Sequence, residues 1–90
     1  MKGKENNIPH NIILENRHEL RISGVNDIDS FTESKIVLNT VLGELVIKGD
    51  DLHIISLITE TGDFSMNGKV SSLTYNDFAT NAGFFRRFFR

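Results

Sequence analysis

From Ile12 onward the apolar residues recur at every second position, as in Leu20 and Ile22, Ile36 and Leu38, Leu45 and Ile47, Leu52 and Ile54, Phe64 and Met66. Successive side chains of an extended chain point to opposite faces, so this spacing predicts strands with one buried face. The predicted strands lie near 11–15, 17–24, 35–41, 44–48, 52–58, 63–66 and 69–75. Val70 and Leu73 share a phase only if one extra residue is inserted, which predicts a β-bulge at Ser71 and Ser72; a similar slip falls between Ile54 and Leu57. The stretch VNDIDSFTES reads as the longest connection.

Strands this short, joined by turns, predict an all-β fold: a small antiparallel β-sandwich of about seven strands with immunoglobulin-like layering. A partly open β-barrel is the alternative, since the pattern does not say whether the sheet closes. The phrase apolar, any, apolar, any, Gly occurs as LRISG, LVIKG and FSMNG. Its unequal intervals exclude a solenoid, which stacks repeats of fixed period. Each phrase is read as a strand that stops at glycine, with structural turns at Gly24, Gly43, Gly49, Gly62, Asn67 and Gly68. Asn67-Gly68 is the strongest of these signals, because a type I′ hairpin turn needs positive φ at both central positions. KGDD (48–51), ETGD (60–63) and Leu42-Gly43 are further predicted turns.

The tail does not follow the two-residue period. In GFFRRFFR, residues 83–90, a strand would mix rings and charges on both faces, whereas a helix separates them. At about 100° per residue Phe84, Phe85, Phe88 and Phe89 gather on one side and Arg86, Arg87 and Arg90 on the other. A short amphipathic helix capped by Thr80 or Asn81 is therefore predicted, one that needs a surface on which to form. The chain is accordingly divided into a mobile N-terminal arm (1–9), a β domain (10–77) and an amphipathic Phe/Arg tail (78–90).

Charge changes the picture of the tail's partner. The net charge is −2, yet residues 1–83 hold seven basic and twelve acidic side chains, a balance of −5, before the tail adds three arginines. An acidic body repels phosphate, so affinity for nucleic acid or anionic lipid would have to come from the tail. There is no cysteine, which removes disulfides, thiol nucleophiles and cysteine metal sites. The polar start lacks the apolar core of a signal peptide, and no apolar run reaches the ~20 residues of a spanning helix, so the protein is expected to stay where it is made.

Candidate chemistry is sparse. His10, His18 and His53 have no i, i+4 partner, and His53 alternates with Leu52 and Ile54 and should point outward. Asp50, Asp51, Glu60 and Asp63 fall where turn chemistry explains them, without the ligand loop of an EF-hand. No nucleophile elbow and no glycine-rich phosphate loop is present. The sequence thus points to a non-enzymatic protein with no cofactor, no metal and no catalytic residue.

Residues 20–75 resemble the YabP family of sporulation proteins, within the YabP/YqfC superfamily of spore-forming Firmicutes. The resemblance is carried by I-S-G-V at Ile22 to Val25, by Ser30-Phe31 with Glu33, by the run LNTVLGELVIKGDDLHI from Leu38 to Ile54, and by GKVSSLTY. A closing glycine with Phe and basic residues also looks like that family's end. The resemblance implies a small all-β protein of the mother cell, cytoplasmic or peripheral at the outer surface of the forespore. It further implies a role in spore morphogenesis, in coat or cortex assembly, and no catalytic residues.

Two classes of function follow. The first is an assembly or adaptor factor that binds other spore-assembly proteins and docks through Phe84, Phe85, Arg86, Arg87, Phe88, Phe89 and Arg90 to a membrane or a partner. The second is a small nucleic-acid-binding or ligand-binding β module that uses the basic aromatic tail, against which the acidic body counts for nucleic acid. Unpaired edge strands leave homo-oligomers open, with Lys35, Lys48 and Lys69 as candidate edge protection.

Overall fold

The computed structural model describes residues 8–76 of the 90-residue chain. They form six strands in one antiparallel sheet: β1 (Ile12–Glu15), β2 (Glu19–Ile22), β3 (Val25–Phe31), β4 (Lys35–Thr40), β5 (Gly43–Ile58) and β6 (Asp63–Asn76). Their order across the sheet is β1-β2-β6-β5-β4-β3, which leaves β1 and β3 as the edges. The all-β class is as expected. The layered arrangement of seven strands is replaced by a single six-stranded sheet whose ends do not join as a barrel. The predicted C-terminal helix lies outside the described residues.

The difference comes from the two central strands. β5 and β6 run for sixteen and fourteen residues and pair along nearly their whole length. The predicted turns at Gly49 and at Asn67-Gly68 fall inside them. Local turn preference at Asn-Gly is worth little against a ladder that long, and the two glycines serve a different need. A Cβ on Gly49 would lie 1.9 Å from the Lys69 carbonyl oxygen, and one on Gly68 would lie 2.5 Å from that of Asp51. They are the positions where two backbones approach as the ladder bends.

Three shifts of register accompany the bend. Gly49 follows Lys48 with Ser71 left over on β6, Ile54 is followed by Ser56 with Ile55 left over on β5, and Asp51 (φ 57°) and Leu52 are passed between Asp50 and His53. The first two are the bulges predicted from the phase breaks. The hairpin loops hold the bends from outside. The β1–β2 turn supplies the carbonyls of Arg17 and His18 to the N–H groups of Val70 and Gly68. On the other side, the loop after β3 supplies the carbonyls of Glu33 and Ser34 to the N–H groups of Leu52 and Gly49.

Beyond each bend β4 pairs with the first half of β5, and β2 pairs with the first half of β6. Leu20, Ile22, Ile36, Leu38, Leu45, Ile47, Leu52, Phe64, Met66, Val25 and Val70 form one buried cluster drawn from both halves. An open single-layer sheet could not bring these residues below a few per cent exposure, so the sheet folds across its bends and covers its own inner face. Thr40, the one buried polar residue among the described residues, is satisfied: its hydroxyl donates to Gly43 O at 2.7 Å and accepts from Leu42 N–H at 3.1 Å.

Three connections between strands carry a glycine with positive φ. Val41 and Leu42 form a tight connection into Gly43 (φ 126°), residues 59–62 turn β5 into β6 with Gly62 at φ 79°, and Gly24 (φ 74°) makes the corner between β2 and β3. The type I′ geometry sought at Asn67-Gly68 appears at Asn16 and Arg17, with φ of 56° and 52° and a His18 N–H to Glu15 O bond of 2.9 Å. Arg17 is unusual in that conformation. Its guanidinium Nε donates to Val70 O at 3.0 Å while its own carbonyl accepts from Val70 N–H, which ties the turn to the β6 bend.

Candidate functional site

The stretch read as a loop, VNDIDSF, is strand β3, and it forms the candidate site. Its apolar positions are sparse because, among the described residues, only one side of it is paired. Val25 is buried and Ile28 half-buried, while Asn26, Asp27, Asp29, Ser30 and Phe31 are exposed. Pairing with β4 skips Asn26 and Asp29, so two bulges interrupt an edge of seven residues. Bulges and acidic side chains at an edge discourage pairing with a like strand. Asp27 is fixed by Asn39, whose Nδ2 donates to its Oδ1 at 2.8 Å.

Beside this edge the folded sheet leaves a groove of about 540 Å³, lined by Ile28, Phe31, Thr32, Glu33, Leu52, His53 and Ile54. It opens where β3 and the second half of β5 diverge. That volume is within the roughly 300–1,000 Å³ of ordinary ligand pockets. Phe31 stands on the inner side of β3 opposite Ile36, yet keeps 65% of its surface exposed. Ile28 and Ile54 pack against the core from one side only. The rim is polar: Glu33 is exposed, and His53 Nδ1–H donates to the Asp51 carbonyl oxygen at 2.9 Å. Asp27, Asp29 and Glu33 have no lysine or arginine within ion-pair distance among the described residues.

A second polar constellation lies at the end of β6. Half-buried His10 bonds the Ser23 carbonyl oxygen through Nδ1 at 2.8 Å and the Tyr75 hydroxyl through Nε2, with the two rings edge to face. The sequence reading put His10 beside a mobile arm, but the Pro9 carbonyl and the His10 backbone are packed against Gly24. His53 points outward as expected. Among the described residues no three His, Asp or Glu side chains gather as a metal-holding group, and no helix is long and apolar enough to cross a membrane. The proposed docking residues Phe84 to Arg90 lie outside the described residues.

Phe31 entered the sequence reading only through the family resemblance, and Arg17 and the His10–Tyr75 contact were not singled out. The out-of-phase Phe at the end of an acidic stretch was the available signal for the first; the other two join residues more than fifty positions apart.

Fold and site therefore define a small all-β protein whose prominent surface feature is an acidic strand edge beside an apolar groove. The YabP family model matches residues 6–82, most of the chain. The chain is also similar to the spore protein YabP of Bacillus subtilis (strain 168), with 34% identity over 84 residues that cover 90% of this chain and 84% of the relative. The chain belongs to the YabP family.

Proposed function

We propose that this is a non-enzymatic sporulation protein that acts as an assembly or adaptor factor in coat or cortex morphogenesis. The observation that carries the proposal is the 34% identity, over 90% of the chain, to a spore protein. The surface supports it: an open edge and an apolar groove suit the capture of a protein segment.

In this reading the tail holds the β domain at a membrane or a partner around the forespore, on its cytoplasmic, mother-cell side. Burial of a phenylalanine contributes about 1.5–3 kcal/mol, so four rings half-buried in a lipid interface would offset the ordering of a short helix. Each arginine near anionic lipid would add about 1 kcal/mol. A fluorescent fusion in sporulating cells, with and without residues 84–90, tests this role. Recruitment to the developing forespore that weakens without the tail is expected. Diffuse fluorescence throughout development would sink the reading, and equal pelleting with anionic liposomes by chains with and without the tail would remove the membrane as its target.

A further inference from the structure

We infer that the groove beside β3 receives the chain's own tail, with the phenylalanines of Phe84–Arg90 against Ile28, Phe31 and Ile54 and the arginines against the acids of β3. This goes beyond the sporulation role and does not depend on it.

Charge selects the occupant. A second copy pairing β3 with β3 would bring Asp27 and Asp29 against their own counterparts, and the two bulges would break the ladder between them. A basic, aromatic segment meets the opposite situation. Asp27, Asp29 and Glu33 are exposed and lack a cationic partner among the described residues, beside a groove whose apolar lining includes a largely exposed phenylalanine. Residues 1–83 hold seven basic side chains against twelve acidic, and the remaining three basic residues all lie in the tail together with four phenylalanines.

Reach permits the contact within one molecule. Phe31 faces Ile36, Ile36 faces Ile47 and Ile47 faces Leu73, so Phe31 lies three strands across the sheet from Leu73. With strands about 4.8 Å apart and a rise of about 3.3 Å per residue, Asn76 is about 17 Å from Phe31 along the sheet. Residues 77–83, fully extended, span about 23–25 Å, enough to cross the sheet and pass its edge. A segment tethered at that distance meets the groove at an effective concentration near the millimolar range, well above that of a second molecule in dilute solution. Seated there, the rings are withheld from water until a membrane or a partner competes for them.

The test is hydrogen exchange on the intact chain at low micromolar concentration. The wild type is compared with a full-length variant carrying Phe84→Ser, Phe85→Ser, Phe88→Ser and Phe89→Ser, and with the single variant Phe31→Asp. In both variants exchange at residues 27–33 and 52–54 should rise by about tenfold or more, while the β5–β6 ladder at 44–48 keeps its protection. Phe31 is exposed, so its substitution leaves the fold in place and keeps the test valid if the fourfold variant aggregates. Equal exchange in wild type and variants would overturn the inference. Protection of the groove that grows with protein concentration would also overturn it, by assigning the groove to the tail of a second molecule. Forespore recruitment and liposome pelleting are separate readouts, so failure here is distinguishable from failure of the proposed function.

Discussion

The bend between β5 and β6 and the edge strand β3 both carry aspartates among a few apolar side chains, and they behave oppositely. At the bend the flanking loops accept from the N–H groups of Gly49, Leu52, Gly68 and Val70, and a Cβ on Gly49 would lie 1.9 Å from a carbonyl oxygen. On β3 the outer side carries no strand among the described residues, and Phe31 remains 65% exposed beside an open groove. Stability is concentrated where strands cross, and surface available for binding is left where the sheet ends.

Gly49→Ala should have the largest effect, because the methyl group meets backbone that no rotamer change can move. Loss of cooperative unfolding in a thermal melt is expected, since the strain exceeds much of the roughly 5–15 kcal/mol that holds a small domain. A folded Gly49→Ala chain with unchanged Tm would break the contrast at its stronger side. Phe64→Ala, at 1% exposure in the core, should cost about 3–5 kcal/mol by denaturant unfolding.

Arg17 sharpens the comparison, since it ties a strained turn to the bend. Arg17→Ala should lose about 1.5–3 kcal/mol with the bond from Nε to Val70 O. Arg17→Gly should lose about 0.5–1 kcal/mol less, because glycine tolerates φ of 52°. Equal losses would mean that the positive φ stores no strain. Phe31→Ala should change the stability of the β body least, by within about 0.5 kcal/mol, although the ring is as large as that of Phe64. A loss near that of Phe64→Ala would show that the groove is part of the core.

Much of the sheet was legible beforehand. The alternation placed Leu20, Ile22, Ile36, Leu38, Leu45, Ile47, Phe64 and Met66 on the inner face, and both phase breaks marked real bulges. The site was less legible, because β3 lacks alternation: a strand paired on one side only, interrupted at Asn26 and Asp29, has few positions that must be apolar. Acidic and polar residues on an edge look like a loop.

Turn glycines drew a similar line. Gly24, Gly43 and Gly62 sit at turns between strands with positive φ, while Gly49 and Gly68 also answer to Lys69 and Asp51, residues brought near by pairing, and Gly68 combines that with a φ of 132°. Nothing in the neighbouring letters shows which glycine must lack a Cβ because a distant backbone lies against it.

The sequence by itself determined the all-β class, the inward residues and the bulges, because the period of two follows from local backbone geometry. It also carried the family resemblance that the comparisons bear out. Only the tertiary structure decided that four predicted strands are two long ones, that the sheet bends to cover its own face, and that β3 is an edge beside a groove. Those outcomes depend on which strand pairs with which across much of the chain, and the energy of such pairing is spread over many contacts, so no short stretch of sequence contains it.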